Sequence, residues 1–464
     1  MSSNPHTTNE KNPVEPYLAD FSTFEKAHQE NTPSWLRPRR KVAISRFAEW
    51  GFPTILDEGW RFTNIGTLAR SHFVVAPPAG EQGSEAIAAL LARAESYVPG
   101  DATAARLVFV NGRHVPELST VPAQGRGVKI GSLAGALASQ EGILECYLSR
   151  FADADDRNYT FAALNTAFLE DGALVVVPQG VELDKPIHLV FLSVSATDGY
   201  TSAVHPRVLA VVGRNARASF VESHLSTRHE AAHWTNGVTE LIAWQNASVD
   251  YHRLQLEDPD ALHTSLLRFH LEADAQLSSH VMTLGGALVR NDVHAVLNGK
   301  GAHGDFNGLY VATENHHIDN HLRIEHVRSH GMSRQNYKGI LTDRGRGVFT
   351  GRIVVHKDAQ KTDAKQTNRN LLLSEEARAN SQPQLEISAD DVKCTHGTTV
   401  GQLDAESLFY LRARGLPLEK ARGLLVQAFA QESIEHIGIA SIREAMLSEI
   451  FGRLLARPAL VSVP

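Results

Sequence analysis

Val208-Leu209-Ala210-Val211-Val212, a turn at Asn215-Ala216, then Ala218-Ser219-Phe220-Val221-Glu222: this stretch sets the reading of the fold. A β-branched run, a short polar turn and a second run with period-2 alternation read as two strands joined at a tight corner. The unit then recurs. Residues 238–243 form another apolar run, Asn246-Ala247 another turn, and Ser248-Val249-Asp250-Tyr251-His252 another alternating strand. Similar small-residue turns follow at Asp274-Ala275, Lys300-Gly301, Asp358-Ala359 and Asp391-Val392. Most intervals are roughly 25–35 residues, the range of repeat architectures. Apolar runs at 174–177, 187–193 and 351–355 extend the pattern in both directions. A solenoid of parallel strands explains it economically, because each coil buries its inward face against the next. A β-sandwich is the competitor, but it would show hairpin signals every 8–12 residues, and those are sparse.

The flanks read differently. Residues 31–172 read as a mainly helical region, with helices expected over 39–50, 85–97 (Ser84 as N-cap) and 159–169. The core is expected over 173–403. From 404 to 464 the chain turns helical again: Asp404 can cap a helix that stops at Gly415, Pro417 opens the next, and 441–455 forms a third. Ala421, Leu424, Leu425, Ala428 and Phe429 make an apolar stripe at helical spacing. Spacing alone leaves open whether it packs on the core or meets a partner. The first thirty residues hold no apolar run and are expected to be a disordered polar tail.

Composition narrows the function classes. The chain has 464 residues and a formal net charge of -7, so no bulk positive field draws nucleic acid or anionic membrane. The basic run Arg37-Pro38-Arg39-Arg40-Lys41 is short and reads as solvated surface. No apolar stretch approaches the ~18–20 residues of a membrane span. The two cysteines, Cys146 and Cys394, suit a reducing compartment, and a cytoplasmic location is expected. The chain lacks a P-loop, a Gly-x-Ser-x-Gly elbow and a His-Glu-x-x-His helix, and Gly345-Arg346-Gly347 has too few glycines for a dinucleotide loop.

Two groups of residues suggest chemistry. His316, His317, His321, His326 and His330 form the densest cluster among 23 histidines. Neighbouring strand residues face opposite ways, so scattered turn or surface positions fit better than a shared metal. Cys394-Thr395-His396 is more specific: on a strand, Cys394 and His396 share a face about 6–7 Å apart. Thiolate and imidazole are both competent iron ligands. On spacing alone the run fits a small buried hydrophobe beside a satisfied core histidine at least as well.

The ordered motifs also carry a resemblance. They are Glu58-Gly59-Trp60-Arg61-Phe62-Thr63, Leu164–Phe168 with Asp171-Gly172, Gly285-Gly286 with Arg290-Asn291-Asp292, and Gly351-Arg352-Ile353-Val354-Val355. Residues 364–374, Pro383-Gln384-Leu385-Glu386-Ile387, 391–397 and 408–415 complete the set. Together they resemble the SufB/SufD family, scaffold subunits of the SUF iron–sulfur cluster assembly system. The run Lys393-Cys394-Thr395-His396-Gly397 is SufD-like, and the region around Ala377 lacks the cysteine that SufB-type chains carry there. The resemblance implies a right-handed parallel β-helix between helical segments and a non-enzymatic scaffold. It implies pairing with a SufB-like subunit, and ATP hydrolysis on a docked SufC-like ABC ATPase. His396 would serve a transient iron–sulfur cluster at the subunit interface as iron ligand or proton donor, with Cys394 beside it. Leu408, Phe409, Leu424, Leu425 and Phe429 would belong to the ATPase-docking region. A flavin on the assembled complex and a homodimer of the isolated chain are compatible with the family. The rival reading is a carbohydrate-active β-helix enzyme of the polysaccharide lyase type, with acids and bases around Asp343, Arg344 and Arg352. A histidine-rich metal-binding protein is the third.

Overall fold

The computed structural model describes residues 12–30, 32–80, 83–123, 125–139, 142–150, 156–194, 201–228 and 232–455. It is mainly β, with 39% strand against 29% helix, and its centre is a β-solenoid of about seven turns. Strands alternate between two facing sheets. The first sheet runs through Gly172–Val177, Arg207–Val212, His233–Ala243, Leu262–Leu271, Leu288–Leu297, His317–His326, Arg346–Val355 and Arg378–Ile387. The second runs through Ile187–Ser193, Arg217–Ser226, Ser248–Gln255, Gln276–Thr283, His303–Ala312, Met332–Leu341, Asp363–Leu372 and Lys393–Gly401. Neighbouring strands in these series pair in parallel, which rules out the antiparallel sandwich.

The corners explain why the repeat was visible. Asn215, Asn246, Asp274, Gly301, His330 and Lys361 all have φ between 54° and 71°. Asn, Asp and Gly tolerate this left-handed region best. The corners stack: Asn215 N–H donates to Gln245 O (3.1 Å), Asn246 to Ala273 O (2.9 Å), Asp274 to Lys300 O (2.9 Å) and Gly301 to Ser329 O (3.1 Å). The turn expected at Asp358-Ala359 is present, with Ala359 N–H donating to His356 O (2.9 Å), and its left-handed residue is Lys361. Inside, Val208, Ala210, Phe220, Leu241, Val249, Tyr251, Phe269 and Phe306 fill the lumen.

Helices cover the outer faces. Leu418–Ile434 and Ala440–Leu455 lay Val426, Ala430, Ile434, Ile442, Met446 and Ile450 on Leu254, Met282, Leu309, Val311, Ile340 and Leu371 of the second sheet. Lys338 fixes the first of these helices: its fully buried ammonium meets Glu432 (2.6 Å) and Phe429 O (3.0 Å). On the other side, Leu36–Trp50 and Thr160–Ala167 pack with Phe73 and Trp60 around the buried Trp234. The region before 172 also supplies a strand, Ala105–Val110, that pairs in parallel with Ile187–Ser193 and so joins the second sheet.

Three local expectations fail. The tail expected through residue 30 contains a helix, Glu15–Ala27, that buries Tyr17, Phe21 and Phe24, one helical face; residues 1–11 lie outside the described set. The basic run fails as solvated surface at Arg39 and Arg40 only, since Arg37, Pro38 and Lys41 are exposed. Arg37 donates to Gln29 O and Thr32 O, Arg39 to Leu148 O and Glu145 O, and the buried Arg40 to Thr32 Oγ1 and Leu169 O. Residue 83, not Ser84, caps the helix Ser84–Tyr97.

Candidate functional site: the open end of the solenoid

Among the described residues, both sheets end here without a further partner strand: Arg378–Ile387 closes the first and Lys393–Gly401 the second. Most side chains of Lys393–Gly401 are exposed, as are Ile387 (43%) and Val400 (47%). A long unpaired edge carrying apolar side chains is a surface built for strand addition unless something blocks it.

Cys394 and His396 lie on this last strand. Their in-register neighbours on Asp363–Leu372 are Ala364 and Gln366, both buried inside the lumen. The two side chains therefore share the inward-facing phase at the mouth. Their environments differ. His396 is exposed. Cys394 is half-buried against the apolar group formed by Ile353, Val355, Ala359, Ala364 and Ala389. Burial pushes its thiol up, a backbone bond from Ala364 pulls the other way, and Asp363 adds to the rise. A thiol held up in this way is a poor nucleophile at neutral pH. Among the described residues, no group of three or more His, Cys, Asp or Glu side chains is placed to hold a metal ion.

The other candidates separate. Phe409 (74% exposed) and Leu424 (41% exposed) stand free on the C-terminal helices, and Leu425 lines an open shelf with Phe409, Tyr410 and Leu411. Ala405–Ala413, which carries Phe409, buries none of its side chains, and Asp404 caps it by accepting from Ser407 N (2.7 Å). Leu408 is half-buried on the side facing Leu372 and Leu373. Phe429 packs on the solenoid under the cations of Lys338 and Arg369. The histidine group scatters: His317 bonds Thr63 (2.9 Å), His326 bonds Ser333 (2.9 Å), His321 faces Asp319 (3.5 Å), and His330 is an exposed corner. Asp343 sits at a corner accepting from Glu314 N, Arg344 is exposed, and Arg352, which pairs with Glu386, lines a separate cavity of about 110 Å³.

Two buried networks went unnoticed in the sequence. Inside the lumen, His263 Nδ1–H donates to Glu257 (2.6 Å) while its Nε2 accepts from Arg253 (2.8 Å), the only tautomer consistent with both partners. Beside it Glu222 takes bonds from His224, Thr239 and Tyr251. Burial would raise Glu222, but the charge on Arg253 and these bonds outweigh it and bring it down to about 2. On the outer face, Tyr159 OH meets His294 Nδ1 (2.9 Å) and His294 Nε2 meets Glu325 (2.7 Å), tying the N-terminal region to the solenoid. The signal for Glu222 was present in its phase: it alternates with the core residues Ala218 and Phe220.

The chain matches two family models: the SUF system FeS cluster assembly, SufBD core domain over residues 193–429, and the SufBD protein N-terminal region over 11–189. It is 34% identical over 412 residues to an iron-sulfur cluster assembly SufBD family protein of Synechocystis, covering 87% of this chain and 88% of that one. It is 31% identical over 418 residues to the iron-sulfur cluster assembly protein SufD of Escherichia coli, covering 90% and 93%. SufD of Bacillus subtilis is 25% identical over 450 residues, covering 93% and 96%.

Proposed function

The chain belongs to the SufBD family of iron–sulfur cluster assembly proteins, as a SufD-type member, and on that footing we propose that the open end of its solenoid is half of a cluster-assembly site. A SufB-like chain supplies the other half by continuing both sheets. The observation that carries this is the position of His396, exposed on an unpaired edge strand in the lumen-facing phase. Its imidazole can offer a lone pair to iron or hand on a proton, while the nascent cluster is cargo shared with the partner. Cys394 is placed beside it, but its raised thiol pKa favours a supporting role.

The C-terminal shelf has a separate task. Phe409, Leu424 and Leu425 form the docking face for a SufC-like ABC ATPase, whereas Leu408 and Phe429 attach that face to the solenoid. The sequence contains no P-loop, so ATP hydrolysis belongs to the docked subunit. Hydrolysis there would shift the paired solenoids and open the site at their junction.

The test is co-expression with a SufB-like chain and an ABC ATPase. The wild-type chain should be recovered with both. Ile387→Lys with Val400→Lys should lose the SufB-like chain and keep the ATPase. Recovery of the SufB-like chain at wild-type level with both lysines present would refute pairing through these edges.

A further inference from the structure

The mouth of the solenoid holds polar groups that the fold leaves unsatisfied. Gln366 is in register with His396 on the neighbouring strand, so their Cα atoms lie about 4.8 Å apart and their side chains leave the same face. Gln366 is 1% exposed, yet among the described residues neither its Nε2 nor its Oε1 has a hydrogen-bond partner. The space around it is specific. A Cβ at Gly351, on the opposite wall, would stand 2.2 Å from Gln366 Nε2, so glycine there makes room for the amide. One rung deeper, Gln335 is in register with Gln366, is 2% exposed, and is equally without partners. Across the mouth, Ser381 Oγ on the last strand of the first sheet is buried and unpaired too. Buried amides without partners cost a fold stability, and leucine would pack in the same volume without that cost. Groups of this kind persist where a functional site uses them.

We propose that Gln366 is the positioning residue for His396. Its carboxamide oxygen accepts the N–H of one imidazole nitrogen when the ring seats over the mouth. That bond fixes the tautomer and turns the other nitrogen's lone pair outward, toward iron arriving at the subunit junction. Metal-binding histidines are commonly held this way, through the nitrogen that does not face the metal. Seating the ring also satisfies the amide oxygen, so the isolated chain carries an unpaired acceptor that assembly uses. This rests on the reading of His396 given above.

Two variants test it. Gln366→Leu removes the acceptor and fills the same space, and Gln366→Glu keeps an acceptor oxygen at the same reach. The leucine chain should melt at or above the wild-type temperature and assemble with its partners. Its complex should yield about tenfold less cluster iron and sulfide. The glutamate chain should recover most of that yield. In the assembled complex, with this chain alone labelled with 15N-histidine, the His396 ring resonances, identified by their loss in His396→Gln, should change tautomer balance in the leucine variant and not in the glutamate one. Wild-type cluster yield with Gln366→Leu, or loss in both variants together with a lower melting temperature, overturns the positioning role. The arms separate the two claims. If His396→Ala in the same assay changes nothing, the reading of the site itself fails. If His396→Ala abolishes assembly while Gln366→Leu is silent, only the role of Gln366 falls.

Discussion

Mild acid should unfold this protein, and buried histidines set the pH window. His188, His205, His252, His280 and His326 are all under 9% exposed. Burial is the leading cause that lowers each of them from 6.5, to about 3 for His188, His205 and His280 and to about 4 for His252 and His326. Among the described residues no carboxylate pairs with them: His188 meets Ser223 (2.9 Å), His326 meets Ser333 (2.9 Å), His205 stacks on Phe168, His252 lies against His280, and the charge on Arg106 lowers His188 further. The sign follows from proton counting. Below 6.5 the unfolded chain takes a proton on each ring and the folded chain does not, so stability falls with pH down to the folded values. At pH 5 this costs about 2 kcal/mol for each ring and about 10 kcal/mol for the five. Typical folding stabilities are about 5–15 kcal/mol, so the loss is decisive. Asp171 and Asp250, raised by burial, take up protons on folding and return part of it. Urea midpoints followed by near-UV circular dichroism between pH 7.5 and 5 should fall steeply, with most of the fall below 6.5. His326→Gln should remove about 2 kcal/mol of the loss at pH 5. A midpoint that is flat across this range, or unchanged in slope by His326→Gln, would refute the reasoning.

Other consequences can be measured directly. Arg207 and Glu240 form a fully buried ion pair at 2.5 Å that also holds Ser149, Asn165 and Thr166. Glu240→Gln strands the guanidinium and should cost about 3–5 kcal/mol in denaturant unfolding; a loss under about 1 kcal/mol would show that the pair is dispensable. Gly172→Ala should abolish soluble expression, because a Cβ there would stand 1.8 Å from Arg207 O and φ is 155°. Phe409→Ala with Leu424→Ala should leave the melting temperature unchanged, since both side chains are exposed. The pair should weaken ATPase capture on the order of 30-fold or more, as loss of a binding hot spot would; undiminished capture would move the docking face elsewhere.

The solenoid was legible because its corners demand special residues. Left-handed turns at Asn215, Asn246 and Asp274 select Asn and Asp, and the strands between them alternate. At the turn around Asp358-Ala359 the left-handed residue, Lys361, was not singled out, because lysine carries no such signature. The helix Glu15–Ala27 was missed inside a polar context, although Tyr17, Phe21 and Phe24 already stood at helical spacing. Arg39 and Arg40 looked like surface because sequence shows charge and not the carbonyls that arginine will meet. At the site, phase alone placed Cys394 and His396 on one face. It did not show that the face borders an open mouth, that Cys394 is half-buried and His396 exposed, or that Gln366 lies one rung below. Those facts depend on which coil is last, and on Gly351 facing Gln366 across the lumen. The partner roles came from family motifs, since apolar helical spacing fits packing and docking equally well. The structure divides that stripe, with Leu424 outside and Phe429 against the solenoid, and leaves Phe409 of the preceding helix exposed beside it.

The most direct test is iron and acid-labile sulfide on the complex of this chain with a SufB-like subunit and an ABC ATPase, assembled with wild-type chain or with His396→Ala. His396 is exposed, so its removal should leave folding and complex recovery intact. The account predicts that the alanine complex forms in normal yield and carries little or no cluster. A complex that carries wild-type iron and sulfide without His396 would contradict it.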